Sequence, residues 1–424
     1  MNQKGKMRLP SVVAVLLAVV SVFSAAVAQA KEITIWCWDP NFNVAIMKKA
    51  GERYSAAHPE ITFNVVDFAK EDVEQKLQTA LASGVSDSLP DIVLIEDYGA
   101  QKFLQSFPGS FASLSGVVDY SKFAPYKVKL ATVAGKTYSM PFDSGVAGFY
   151  YRKDYLAKAG YKPEDLQSLT WDQFIEIGKK VKAKTGHRML SIDPNNAGLV
   201  RIMLQSAGSW YFNADGSLNI RKNAALKAAL TVVGKLMSSG ISKPAAGWSD
   251  WVAAFTSGEV ASVTTGVWIT GTIKATEAQK DLWGVAPIPR LDVKGAVQAS
   301  NLGGSSWYVL AASKEKKEAI DFLNQVYGKD VDFYQQILVD NGAVGSLLAA
   351  RKGPAYGAQD TFFGGEKIWQ SFASWLAKVP SVNYGIFTNE ADGAVAAQLP
   401  FIAQGGSVDK ALKAIHAQLV VQVQ

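Results

Sequence analysis

The sequence predicts an α/β protein built in two lobes, and three observations carry that expectation. At 424 residues the chain is long for a single hydrophobic core. Strand-like and helix-like spacings alternate along its first hundred residues. The stretch from Gly135 to Arg152 breaks a strand at Pro141, exposes Asp143, and resumes as a new apolar strand from Val146 to Tyr151. Because Pro lacks the N–H that a ladder needs, such a break suits a crossing between two lobes. Asp143 would then lie at a hinge, in the crevice.

The N-terminus reads as a leader. Lys4, Lys6 and Arg8 precede an apolar run from Val12 to Val20 that ends in the small-residue motif Ala28-Gln29-Ala30. This is the pattern of a cleaved export signal over residues 1–30, and the fully apolar part is shorter than a membrane span requires. Its removal takes away three cations and lowers the formal charge of +6 to +3. No Lys/Arg cluster remains to suggest nucleic acid. Cys37 is alone, so no internal disulfide is expected. Export without disulfides or anchor fits a bacterial periplasm.

From Glu32 to Trp38 the residues alternate and are β-branched or aromatic, which predicts a strand. Asp39-Pro40-Asn41 forms a turn, and Val44, Met47, Ala50, Gly51 and Tyr54 then recur at helical spacing. Ile61–Val66 is a second strand. Val73, Leu77, Ala80 and Leu81 mark a second helix, closed by Gly84. Leu89–Ile95 is a third strand, too uniformly apolar to be half exposed and therefore parallel and buried. The order β-α-β-α-β is a doubly wound start. Past Asp143 the chain becomes more helical. Thr170-Trp-Asp-Gln173 has the spacing of a capping box. Trp283–Arg290, limited by prolines, is expected to be a second crossing, and Gly303-Gly304 precede a further strand.

In doubly wound sheets ligands bind beyond the carboxyl ends of the strands. Trp38, Asp39 and Asn41 follow the first strand; Glu96, Asp97 and Tyr98 follow the third. Carboxylates and amides take hydroxyls, and flat rings cover C–H faces, so this mixture suits a carbohydrate. Eleven Trp, fifteen Tyr and twenty Phe supply such faces elsewhere. Trp268 follows an apolar strand on a loop, and Trp210 sits in a turn. Other chemistries lack their residues. Gly135-Lys136-Thr137 has Leu130 where a phosphate loop needs Gly, and no His-based, Cys-pair or G-x-S-x-G site is present. No metal or other cofactor is expected. A glycosidase pairing Asp143 with Glu96 or Asp97 stays open as the alternative.

The order of these features resembles the extracellular solute-binding proteins of bacterial ABC sugar-uptake systems, the family of the maltose-binding protein. The matching stretches are Ile33–Trp38, Pro90-Asp91-Ile92, Gly135–Pro141 with Tyr150–Asp154, Thr170–Phe174, Phe255–Gly258 with Trp268, Trp283–Pro289 and Gly303-Gly304. Trp36–Asn43 is also similar to disaccharide binders of rhizobial type, lactose binders among them. The resemblance implies a two-lobed periplasmic binding protein fold, each lobe a doubly wound sheet flanked by helices, with hinge crossings. It places residues 31–142 and 290–330 in the N-terminal lobe, and 143–289 and 331–424 in the C-terminal lobe. It also implies a non-enzymatic, monomeric protein that binds a neutral di- or oligosaccharide and presents it to ABC permease subunits in the inner membrane. The contacts it implies are Trp38, Asp39, Asn41, Glu96, Asp97, Asp143, Trp210 and Trp268, with Gly303, Gly304, Trp307, Tyr384 and Phe387 as weaker candidates. Ile95 stands where the maltose-binding member has a ring, which favours a short ligand, lactose-like, over a maltodextrin.

Overall fold

The computed structural model describes residues 1–2, 30–85 and 87–423. The basic segment, the apolar run and most of the cleavage motif expected over residues 1–30 lie outside the described residues.

The first lobe is built on the predicted β-α-β-α-β unit. β1 (Lys31–Cys37) runs parallel between β2 (Ile61–Asp67) and β3 (Ile92–Glu96). α1 (Ala45–Ser55) and α2 (Lys70–Ser83) connect them, as right-handed crossovers require helices between parallel strands. α1 buries Ile46, Met47, Ala50, Gly51 and Tyr54, one face at helical spacing. Gly51 is needed there because a Cβ would meet the Phe63 ring at 2.9 Å. The sheet is then completed from far along the chain. The Ser305–Val309 strand lies antiparallel to β3, and Ser139–Pro141 lies antiparallel outside it. The helix Lys316–Lys329 covers this sheet with Ala319, Phe322, Leu323 and Val326.

In the second lobe Ala147–Arg152 is the middle strand, antiparallel to both Ser262–Gly266 and Trp283–Ala286. A parallel pair, Leu190–Ile192 with Ser242–Pro244, adjoins it through a bridge between Arg188 and Val260. All six residues of the middle strand are buried, the last of them, Arg152, paired with Asp154. The capping box forms as the spacing predicts: Thr170 Oγ1 accepts from Gln173 N at 3.2 Å, and Thr170 N donates to the Gln173 carboxamide at 2.8 Å. Two-lobed α/β architecture is therefore present, with parallel strands concentrated in the first lobe.

Three passages link the lobes, side by side. Phe142–Val146 is the expected one. Asn301 bridges Val146 on one side of it, and Gly345 bridges Asp143 on the other. Ser144 N donates to Val344 O, Leu302 N to Gly145 O and Ala147 N to Ser300 O, all at 2.7–2.8 Å. The second passage thus lies at residues 300–304, not at Trp283–Arg290. Trp283 and Ile288 are fully buried within the second lobe, and Arg290 N bonds Leu169 O. Prolines kept that stretch extended without taking it across. The helix Val331–Asn341 buries Phe333, Tyr334 and Ile337 in the first lobe's core, so the third passage follows it at residues 342–347.

Candidate ligand cleft

The register of β1 against β3, Trp36 opposite Val93, carries Trp38 and Asp39 out beside Ile95 and Glu96 at one edge of the first sheet. Trp38 and Asp39 are half-buried and Asn41 is exposed. Asp39 has φ +66°, a left-handed conformation unusual for a residue with a Cβ, and its carboxylate accepts from Asn41 N at 3.2 Å. Burial raises the Asp39 carboxyl above its ordinary range, and the N–H groups of Asn41 and Phe42 oppose that rise.

Glu96 and Trp268 approach the same glycine, Gly303, from different elements. A Cβ on Gly303 would lie 2.9 Å from the Trp268 indole nitrogen and 3.7 Å from Glu96 Oε1, so first lobe, passage and second lobe converge at this glycine. Gly303 has φ +81°. Trp268 Nε1 donates to Leu302 O at 2.9 Å, which pins the ring. Trp268 packs against apolar residues of both lobes and is itself only partly buried.

Lys70 and Arg201, absent from the sequence reading of the site, complete this wall. Lys70 Nζ is ion-paired with Glu96 and lies 3.5 Å from Glu74. Arg201 sits over the Tyr98 ring, 4.6 Å from its centroid, with Nε 3.3 Å from Asp392. Burial alone would raise the Glu96 carboxyl, but Lys70 and Arg201 outweigh it and hold the group below its ordinary value. Lys70 was findable. It opens the helix after β2, and the rule applied to the ends of β1 and β3 applies equally to β2.

Asp97 and Asp143 form a different cluster, closed by Lys127. The short helix Pro125–Leu130 delivers Lys127 Nζ to Asp97 Oδ1 at 2.5 Å and to Ser305 O at 2.8 Å. Asp143 Oδ1 accepts from Ser305 N at 2.7 Å. Asp143 is at the hinge as expected, yet only 2% exposed. Burial pushes its carboxyl up to about 7, Lys127 pulling it down and Asp97 pushing it further up. Gly304, φ +87°, completes the fit: a Cβ there would lie 2.9 Å from Asp97 Oδ2 and 3.1 Å from Gly145 N.

The remaining aromatic candidates are buried. Trp307, 0% exposed, packs among Phe142 and Tyr327 in the first core and takes no part in the cleft. Its position facing inward on a strand between two others explains this. Trp210, 1% exposed, donates Nε1 to Thr388 Oγ1 at 3.0 Å and stacks on Tyr98 at 5.7 Å. Tyr384 meets the same Tyr98 ring edge-on at 4.6 Å and donates its hydroxyl to Gln205 at 3.1 Å. Tyr98 therefore carries the first lobe into the second lobe's aromatic cluster. Phe387 is half-buried against the second core. Lys102 with Glu390, and Asn389 with Glu74, add polar contacts across the same junction. Two concavities, about 820 and 600 Å³, lie on the second lobe around Tyr161–Glu176 and around Glu366–Trp375, away from all these residues.

A model of the bacterial extracellular solute-binding proteins matches residues 49–340. The chain belongs to that family. The resemblance drawn from its sequence is thereby borne out. Among solute-binding relatives, a lactose-binding protein of Rhizobium radiobacter is 64% identical over 414 residues, which is 98% of each chain. An arabinooligosaccharide-binding protein of Bacillus subtilis (strain 168) is 25% identical over 311 residues, 70% of each chain. Among solved structures, an ABC transporter associated binding protein from B. animalis subsp. lactis, in complex with β-1,6-galactobiose, superposes with a TM-score of 0.79. It is 24% identical, and the match covers 93% of this chain and 97% of that one. That likeness establishes the two-lobed fold. Among the described residues no helix is long and apolar enough to cross a membrane.

Proposed function

We propose that this solute-binding protein captures a neutral di- or oligosaccharide, lactose first, between its lobes and delivers it to the permease subunits of an ABC transporter in the inner membrane. The observation that carries this reading is the 64% identity to a lactose-binding protein along 98% of both chains. In this reading the chain is exported to the periplasm by its cleaved leader and works as a monomer. Residues 331–341 go with the first lobe, and residues 290–299 with the second.

The wall at Glu96 supports a neutral ligand. Its two cations, Lys70 and Arg201, face three carboxylates, Glu74, Glu96 and Asp392, so no positive charge is left to clamp an anion. Glu96, kept ionised, accepts sugar hydroxyls, and a carboxylate acceptor binds more strongly than a neutral one. The Trp268 face covers the C–H side of a pyranose. Trp38, Asp39, Asn41 and Gly303 line the same opening. Asp97, Asp143 and Gly304 hold the hinge, while Trp210, Tyr384 and Phe387 shape the junction around Tyr98. A ligand held by Glu96 from one lobe and Trp268 from the other favours the closed state, since only differential contacts shift such an equilibrium.

Thermal shift and calorimetric titration with lactose test this reading. At a hundredfold excess over its dissociation constant, lactose should stabilise the protein by about 2.7 kcal/mol. The radius of gyration should fall on saturation. Stabilisation only by a uronate or sugar phosphate would overturn it. The glycosidase alternative would need Asp143 beside a substrate with Glu96 or Asp97; Asp143 and Asp97 are buried, Asp97 against Lys127, and Glu96 is ion-paired with Lys70. Release of galactose from lactose by the purified protein would nonetheless decide for it.

A further inference from the structure

The buried cations Lys70, Lys127, Arg152 and Arg201 are each matched by a carboxylate. Arg351, half-buried just after the third passage, forms no ion pair among the described residues. Its Nε donates to Gly345 O at 3.2 Å, but its Nη2 is buried and meets no acceptor. The Tyr356 hydroxyl, on a residue only 5% exposed, is likewise shut from solvent without a hydrogen-bond partner of normal geometry. Both groups stand against Gly345. Burial pushes the Tyr356 hydroxyl up to about 12, against the pull of Arg351 and of the Gly345 N–H. Tyr334, whose ring leaves no room for a Cβ on Gly345, walls the position, and its own hydroxyl is spent on Tyr327 O at 3.1 Å. The turn that carries the two donors is clasped at both ends by one side chain. Gln335 donates to Ala350 O at 2.6 Å and accepts from Ala355 N at 2.9 Å. Asp143, bridged to Gly345, has its carboxylate on Ser305 N at 2.7 Å and offers Arg351 no partner.

A buried donor left unmade is costly, and an unmatched guanidinium is costlier. Water would accept both hydrogen bonds and leave the charge unanswered; an anion answers both. We propose that Arg351 Nη2 and the Tyr356 hydroxyl form a seat for one small inorganic anion of halide size, which fastens residues 348–357 to the third passage between the lobes. Two donors and an aromatic wall suit a single-atom anion, whereas a tetrahedral oxyanion would ask for more donors than these. The seat does not depend on which solute the cleft holds.

The test is thermal unfolding of the full mature protein at constant ionic strength, with sodium chloride replacing sodium gluconate, whose anion is too large to enter. The wild type should gain about 2 °C, and the gain should saturate with chloride. Arg351→Met should show no saturable gain. Tyr356→Phe, which keeps the ring and loses one donor, should need about fivefold more chloride for half of the effect. Crystals of the wild type grown in sodium bromide should show an anomalous peak at hydrogen-bond distance from both donors, a measurement that requires no variant to fold. No chloride-specific gain in the wild type, or an equal gain in Arg351→Met, would overturn the seat. So would bromide crystals without that peak. A saturable gain with phosphate but none with chloride would overturn it as well.

Discussion

Two clusters of buried charge lie at neighbouring strand ends, and they behave in opposite ways. At the hinge, Asp97 and Asp143 share one cation, Lys127, and burial lifts both carboxyls above their ordinary range. At the cleft, Glu96 faces both Lys70 and Arg201 and is held below its ordinary range. Glu74 and Asp392, beside the same two cations, are raised by burial as well, so the contrast is that of Glu96 against the hinge pair. Where cations are short, the carboxylates serve the backbone: Asp143 caps Ser305 N, and Lys127 ties Asp97 to Ser305 O. Where two cations lie near the carboxylate it stays ionised, which suits the acceptor role proposed for it.

Removing the shared cation is the strongest way to break the hinge. Lys127→Met leaves Asp97 buried without its ion-pair partner and Asp143 without a nearby cation, so unfolding in denaturant should report a loss of about 3–5 kcal/mol. Removing the cleft's ring should act on binding instead. Trp268→Ala is expected to weaken lactose affinity from several-fold to about a hundredfold, roughly 1–3 kcal/mol of apolar contact, measured by titration. A loss of stability with no loss of affinity would erase the distinction between the two regions.

Acid sharpens the comparison. The folded value of Asp143, about 7, lies above an unfolded value near 4, so the native chain holds the extra proton between those limits. Stability from this group therefore falls as pH rises through that window, with a slope of up to about 1.4 kcal/mol per pH unit. Glu96, held below its ordinary value, has the opposite sign: its contribution is present above about 4.5 and is lost as pH falls below that. Thermal unfolding from pH 3 to 8 should show Asp143→Asn reducing the first slope, the part that Asp97 and the other raised carboxyls supply remaining, and sparing the second. The smallest effect is a control remote from both clusters. Thr170→Ala removes a helix cap and should cost about 1 kcal/mol of stability, with affinity unchanged.

Much of the first lobe was legible because β1, α1, β2, α2 and β3 are local: alternation and helical spacing report which face of each is buried. Thr170 with Gln173 was legible for the same reason. The hinge cluster was not, since Lys127 reaches Asp97 across 30 residues and Ser305 across 178, a pairing that only the fold makes. Aromatic residues marked candidate surfaces but not their depth. Trp307 and Trp268 both lie close to glycines and a strand, and one is fully buried in the core while the other is only partly buried. The prolines of Trp283–Arg290 signalled extended backbone, which is a weaker statement than a crossing.

The three passages between the lobes touch one another along their length, Ser144 bonded to Val344 and Leu302 to Gly145. Laced strands of this kind flex as a leaf spring does, easily across the leaf and stiffly within its plane. Twisting one lobe against the other would shear those bonds, whereas folding the lobes together leaves them intact. In the proposed closure the movement that these bonds leave easiest is a change in the angle of the gap. Whatever occupies the gap is reported to the exterior as that single angle, so a membrane partner gripping both lobes could sense the presence of cargo without touching it.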